Sequence, residues 1–414
     1  MIRIGVSEAE RVKDINLLLE KCLLPHIGRV ETPSLTYIDA VLEASLTEYR
    51  AFLDPLGVEL LYSAKPCTFD FVVRACARRT AGIDVSSPGE ARLVREWVGP
   101  SVALHCTTPG LSAGNLETVS ELADFINVNS LPMLRRAYRQ AAHHGASMGL
   151  RVNTGRSASK DARYDPARPG SKLGVPPKAF EAWVAEGGGP VIDGLHFHIG
   201  CESPAYAAAA SSVKWLARVA APLLSRLTYV NVGGGWLRPA AVKGAEHFRA
   251  AVEQLRACGV RRIFTEPGTG IVSEAGVLTA RIIDIVDAGK GKVAVLDAHT
   301  GQAPETIEYG WKPDLYTPGN EVTGAGRHEY ELVGCTPHVG DVFGRYRFRR
   351  PLELGQPLFF HRLGAYAHAR ATQFTGVPLP SIYRITEAGT LALVRKSAFA
   401  EYHTLWSTDA DDRA

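Results

Sequence analysis

Short apolar runs, rich in β-branched and aromatic residues, recur along the chain from about residue 58. They read "VELLYSAK" (58–65), "GIDV" (82–85), "VALHC" (102–106), "FINVN" (125–129), "GLRVN" (149–153), "IDGLHFH" (192–198), "LTYVNV" (227–232) and "RRIFTE" (261–266). Their length and bounding turn residues are those of buried strands. Between them lie segments with helical periodicity, such as "PGEARLVREWV" (88–98), "LPMLRRAYRQAAHH" (131–144) and "AEHFRAAVEQLRACG" (245–259). The first opens on proline and the last ends on glycine, where helices tolerate them. Strands alternating with helices in this way predict a (β/α)8 TIM barrel, with a doubly wound open sheet as the alternative. After residue 275 the pattern changes. "GVLTARIIDIVDAG", "KVAVLDA", "YELVG", "PLELGQPLFFHRLGAY" and "LALVRK" are strand-like runs between Gly and Pro turns. They predict an all-β domain. The expected division is a barrel over 36–275 and a β-rich domain formed by 1–35 and 276–414.

Composition narrows the function classes. At 414 residues the chain exceeds one ordinary core, which agrees with two domains. A net charge of +3 argues against a nucleic-acid or membrane-surface partner. No run reaches the roughly 18 apolar residues of a membrane span. The first residues, "MIRIGVSEAERVKDINLLLEK", lack a signal peptide's apolar core. The seven scattered cysteines include no CxxC pair, which argues against a disulfide framework and for a reducing, cytoplasmic setting.

In a barrel of this kind the chemistry sits at the carboxyl ends of the strands. Lys65 ends the first strand, "HFHIGCES" the sixth, "VNVGGGW" the seventh and "TEPGTG" the eighth. Singly, each has an ordinary explanation: a solvated lysine, a packed histidine, a tight turn. His196 and His198 share a face and are also a candidate pair of zinc ligands for a barrel hydrolase. Together, an amine, a stackable ring, glycine-rich turns and a carboxylate are what pyridoxal 5'-phosphate requires.

On these motifs the sequence resembles the barrel-fold pyridoxal-phosphate decarboxylases of the alanine racemase-like fold type III. The group includes ornithine, diaminopimelate and carboxynorspermidine decarboxylases. The resemblance runs from about residue 33 to 385 and is greatest to the carboxynorspermidine branch, through "RYDPARPGSKLGV" and "VPLPSI". It implies that Lys65 condenses with the cofactor aldehyde, that His198 stacks on the ring and that Cys201 lies at the phosphate side. It implies further that Gly233, Gly234, Gly235, Gly268 and Tyr366 hold the phosphate, with Asp84 and Arg151 near Lys65. Glu266 would pair with the pyridine nitrogen. A homodimer with shared active sites is implied as well, with the loop "GCTPHVGD" (334–341) completing the neighbour's site. Lys172 would then form an ion pair with Asp341 of the partner subunit.

Two departures from the family bear on the reaction. The family loop reads Gly-Pro-x-Cys-x-x-x-Asp, and its cysteine reprotonates the substrate carbon. Here Cys335 stands at the proline position and Pro337 at the cysteine position. Either Cys335 or His338 acts as the acid, or the carbanion has another fate. An imidazole titrates near neutral pH and can donate a proton. After Glu-Pro-Gly, Thr269 occupies the place of a charged residue, so Asp297, Glu305 and Glu308 are the acidic candidates for a substrate's distal amine.

The expectation is a homodimeric carboxy-lyase for a small amino acid or amino-acid-derived conjugate, in a specialised biosynthetic pathway. The alternatives are oxidative or replacement chemistry on the same fold, and a non-catalytic pyridoxal-phosphate-binding protein.

Overall fold

The computed structural model describes residues 2–157, 159, 161–188, 192–201, 203, 205–289, 291–320, 322 and 325–408 of the chain. The chain forms two compact units. One comprises Ile4–Ser7 and Glu43–Ile271, the other Met1–Arg3, Glu8–Leu42 and Val272–Ala414.

The first unit is a closed parallel barrel, not an open sheet. Its strands are Glu59–Ser63, Gly82–Val85, Ala103–Thr107, Phe125–Val128, Ser147–Arg151, Gly194–His196, Tyr229–Asn231 and Arg262–Thr265. The helices between them start where the sequence supplies caps. Ser87 accepts the Glu90 N–H ahead of Pro88–Val98, and Ser130 accepts the Met133 N–H ahead of Leu131–His143. The latter helix buries Met133, Leu134, Ala137 and Ala141, one stripe at helical spacing.

Every second strand residue faces the barrel interior. Leu61, Phe125, Tyr229 and Phe264 pack there as an apolar core. Glu59 and Arg262 pair beneath it, with the guanidinium over the Phe125 and Phe264 rings. The Tyr229 ring crosses the interior because strand six offers no side chain at Gly194. A Cβ there would lie 2.2 Å from Tyr229 Cζ. The barrel is thus a filled core below and polar above.

His105 belongs to this core. It is fully buried and stacks on Phe125 with centroids 4.2 Å apart. Burial lowers its pKa to about 3. In the other unit burial lowers that of His361 to about 4. Both rings are neutral when folded and take up a proton on unfolding below about pH 6.5. Their contribution is therefore complete above that pH and is lost as pH falls through the window toward the folded values. Each should make stability fall by about 1.4 kcal/mol per pH unit between about pH 6 and pH 4.5. Urea unfolding at several pH values tests this: His105→Phe should show a shallower pH slope than the wild type by that amount. Equal slopes would mean that His105 titrates in the folded barrel as it does in the unfolded chain.

The second unit is built on a nine-stranded sheet. Its spine is the twelve-residue strand Gly276–Asp287, which pairs antiparallel with Ser34–Ile38, Pro357–Phe360 and Lys292–Leu296. Ser34–Ile38 is buried throughout and also pairs parallel with Ser381–Ile385. The division therefore falls inside the helix Asp39–Leu53 and at Ile271, not at residues 35 and 275. The part before the sheet is also less β-rich than expected: Glu8–Cys22 is a helix that buries Arg11, Ile15, Leu19 and Cys22, one face at helical spacing. A second helix, Phe399–Trp406, follows the last strand.

Candidate active site

The barrel's upper interior gathers polar side chains from the strand ends. Lys65 lies just beyond the first strand, and its Nζ donates to Ser63 Oγ at 3.1 Å. Ser63 Oγ in turn donates to Asp84 Oδ2 at 3.3 Å. Asp84 is buried, and burial pushes its pKa well up, reinforced by the charge of Glu266 and opposed by Lys65.

Glu266, beyond the eighth strand, sits next to the first strand in the closed barrel. It is 4% exposed. Its Oε1 lies 2.9 Å from His196 Nε2, and its Oε2 accepts Asn231 Nδ2 at 2.7 Å. Asn231 Oδ1 accepts the Gly233 N–H at 2.8 Å, which fixes the orientation of the amide. Burial alone would push the Glu266 pKa up, but the hydrogen bond from His196 and the charge of Lys65 hold it below the usual carboxylate range. Burial also lowers the pKa of His196, so a neutral ring donates from Nε2 while Nδ1 stays buried without a partner.

His198 follows on the same face. Burial, with Arg151 and Lys65 nearby, lowers its pKa to about 3. Its Nδ1 accepts the Gly234 N–H at 3.2 Å, so the neutral ring is held edge-on to the glycine turn. Gly235 has φ 85°, and a Cβ there would lie 1.8 Å from the Gly200 carbonyl oxygen. The turns after strands six and seven can approach this closely only with glycine. Arg151 is buried at the end of strand five, its pKa lowered by burial against the charges of Glu266 and Asp84. Gly268 packs against Pro66, Cys201 is exposed, and Thr269 opens the short helix Thr269–Val272. Glu202 of the same motif lies outside the described residues.

The barrel unit thus brings together Lys65, Asp84, Arg151, His198 and Glu266. His196 and His198 direct ring nitrogens at Glu266 and the Gly234 N–H, not at a common point. Among the described residues, the His/Asp/Glu cluster with metal-ligand spacing is the exposed Glu117, Glu121 and His144, far from these strand ends in sequence. Two members of the site, Ser63 and Asn231, were not singled out from the sequence. Their only signal is parity, since each lies two residues from a residue of the site.

The remaining candidates lie in the β-rich unit. Tyr366 has φ 58°, an uncommon backbone for a non-glycine residue. Both Asp297 oxygens are engaged within the chain, by Thr32 Oγ1 at 2.5 Å and Arg281 N at 2.7 Å. Glu308 forms a bidentate pair with Arg370, and Glu305 starts the same one-turn helix. In the 334–341 loop, Cys335 is half-buried with its thiol pKa pushed up by burial, while Pro337 and His338 are exposed at the tip.

Asp341 is held by its own loop. It is 3% exposed. Its Oδ1 accepts Thr300 N at 2.7 Å and Thr300 Oγ1 at 2.9 Å, and its Oδ2 accepts Thr336 N at 3.2 Å and Thr336 Oγ1 at 2.6 Å. A carboxylate with four donors from its own chain braces its own loop. Lys172 is exposed on the barrel unit, where its carbonyl accepts Asn129 Nδ2 at 2.7 Å.

Known proteins resemble this chain in sequence and fold. Residues 40–280 match the family model described as pyridoxal-dependent decarboxylase, pyridoxal binding domain. Carboxyaminopropylagmatine decarboxylase of Synechocystis is 26% identical over 384 residues, covering 91% of this chain and 96% of that protein. The carboxynorspermidine/carboxyspermidine decarboxylase of Campylobacter jejuni is 25% identical over 384 residues, covering 90% and 98%. The crystal structure of carboxynorspermidine decarboxylase from C. jejuni, complexed with norspermidine, shares the fold. Its TM-score is 0.78 at 22% identity, over 91% of this chain and all of that one. Diaminopimelate decarboxylase from Helicobacter pylori, complexed with L-lysine, gives a TM-score of 0.80 at 20% identity, over 91% and 96%.

Proposed function

The chain belongs to the pyridoxal-dependent decarboxylases, and from that premise we propose that it removes the α-carboxyl group from a carboxylated polyamine-type conjugate. Such a substrate has a free α-amino acid at one end and an amine-bearing chain at the other. The observation that carries the reading is the placement of Lys65 within charge range of a buried Glu266, whose pKa is held low, on adjacent strand ends.

The residues present fit pyridoxal phosphate. They offer an amine, a carboxylate kept charged, a neutral imidazole and glycine-rich turns, and the buried Asp84 Oδ1 and His196 Nδ1 lack partners. Lys65 would hold the aldehyde carbon, Glu266 the ring nitrogen and His198 a ring face, with Gly233, Gly234, Gly235, Gly268 and Tyr366 at the phosphate. When bound, the group supplies a protonated ring that accepts the electron pair released with CO2. Glu266, held by His196 and Asn231, would keep that ring nitrogen protonated. Arg151 balances the carboxylates around Lys65.

The reading includes a homodimer in which the 334–341 loop completes the partner's site. The loop suits such a role: Asp341 preforms it, and its tip presents His338 beside Val339, which is 96% exposed. His338 is the proposed acid for the substrate carbon, with the thiol of Cys335 as its competitor. Thr269 and Glu305 are the proposed contacts to the distal amine. Thr269 carries no charge, so it grips neither a distal carboxylate nor a distal amine by an ion pair, and the choice of polyamine end rests on the relatives' substrates.

A substrate panel tests the proposal. CO2 release and amine formation should be at least about tenfold faster, in kcat/KM, with carboxynorspermidine or carboxyaminopropylagmatine than with diaminopimelate, ornithine or arginine. Diaminopimelate as the best substrate would overturn the substrate class. Ammonia or peroxide in place of an amine would overturn the reaction.

A further inference from the structure

We propose that Ser63 relays a proton from Lys65 to Asp84, so that Ser63 and Asp84 together act as the base that frees the lysine amine. The inference rests on the reading that Lys65 is the reactive lysine. It adds a catalytic residue, Ser63, and gives Asp84 a task.

The geometry comes from strand parity and register. Ser63 precedes Lys65 by two residues, so both face the barrel interior. Ser63 is in register with Asp84 on the neighbouring strand. The two hydrogen bonds, 3.1 Å from Lys65 Nζ to Ser63 Oγ and 3.3 Å from Ser63 Oγ to Asp84 Oδ2, run in one direction. Ser63 and Asp84 are each 1% exposed.

An ammonium group cannot attack a carbonyl carbon, so Lys65 must first give up a proton. An N–H bond of Lys65 breaks as an O–H bond forms at Ser63 Oγ. The original Ser63 O–H bond breaks as one forms at Asp84 Oδ2. Ser63 ends unchanged, and an ammonium–carboxylate pair becomes a neutral amine and a neutral acid. When a substrate amine displaces Lys65, the same proton returns along the same path. No oxidant or further reactant is needed.

Asp84 is buried, and burial penalises its charge, which favours its protonated form as proton acceptor. Asp84 is faced by Ser63 and Lys65 from the first strand, Thr107 from the third, the Arg151 cation from the fifth, Glu266 from the eighth and Glu90 from the helix Pro88–Val98. Lys65 is faced by Asp84, Glu266, His196 and His198. Thr107 also lies at hydrogen-bonding range of the Asp84 carboxyl group and opposes the rise in its pKa.

The test follows capture of the cofactor, not turnover. The apo-chain is mixed with pyridoxal phosphate, and the visible absorbance of the lysine-bound cofactor is recorded against time. The loaded protein is then mixed with 1,3-diaminopropane to time the displacement of Lys65. Ser63→Ala should slow both steps by at least about tenfold, while Ser63→Thr, which keeps the hydroxyl, stays within about threefold of wild type. Asp84→Asn should slow both steps similarly. The double variant should be no slower than the worse single one, because the two residues act in series. Thermal melting confirms that each variant is folded. Wild-type rates in Ser63→Ala, or multiplicative losses in the double variant, would overturn the relay. A wild-type chain that captures the cofactor but releases no CO2 would instead overturn the decarboxylase reading and leave the relay standing.

Discussion

Lys65→Ala will abolish the visible absorbance of the lysine-bound cofactor and lower CO2 release by at least about a thousandfold. The size of the effect follows from what the side chain does. Lys65 is half-buried beyond the first strand, and its Nζ is already aimed along the Ser63–Asp84 path. The variant also changes the local charge balance. Without the lysine, Asp84 and Glu266 face Arg151 as the remaining fixed cation, and the already raised Asp84 pKa rises further, since Lys65 is the charge that opposes the shift. Lys65→Ala should still retain the cofactor non-covalently through Glu266, His198 and the glycine turns, which equilibrium dialysis measures. Turnover within about tenfold of wild type would move the reactive amine to another residue and sink the assignment.

Much of the barrel is legible in the sequence because its strands are short, apolar and regularly spaced. The run 82–85 coincides with its strand, and the segment 88–98 with its helix. Strand-end residues are legible for the same reason, since the fold decides which end carries chemistry. What escapes is decided by partners distant in the chain. Nothing local marks Ser34–Ile38 as a strand, because its character comes from pairing with Gly276–Thr279 and Ser381–Ile385. The helix Phe399–Trp406 leaves Phe399 76% and Trp406 72% exposed, so no buried stripe announces it. Carboxylates fail in another way. Asp297, Asp341 and Glu308 sit in polar loops that look equally suited to meeting a ligand or bracing a turn. Within the chain they bond to Thr32, to Thr300 and Thr336, and to Arg370, contacts that no local pattern announces. Asn231 and Ser63 show the converse. They are ordinary polar residues by sequence, and only the closed barrel turns them toward Glu266 and Lys65.

Glu266→Gln should lower kcat by about a hundredfold to a thousandfold while leaving KM nearly unchanged, the signature of an interaction made in the transition state. A carboxylate about 4 Å from a protonated ring nitrogen is worth about 4 kcal/mol at an effective dielectric of about 20. That corresponds to roughly three pKa units at the nitrogen, and to the upper end of the expected rate loss. The amide removes this charge. It also disturbs the hydrogen bonds that hold the group. Neutral His196 can still donate to one oxygen, but Asn231 Nδ2 would then face the glutamine amino group. Turning the Asn231 amide over would relieve that clash, but at the expense of its bond from the Gly233 N–H. The glycine turn after strand seven is therefore disturbed along with the charge, and cofactor affinity should fall modestly as well. Glu266→Asp keeps the charge but shortens the reach, so it should recover part of kcat. Single-turnover CO2 release, with an absorbance titration of the bound cofactor, separates these effects. The wild-type ring nitrogen should stay protonated across neutral pH, and the glutamine variant should lose that proton at lower pH. A glutamine variant that keeps kcat within about tenfold would show that the electron sink does not depend on Glu266, and the case for decarboxylation built on that carboxylate would fall with it.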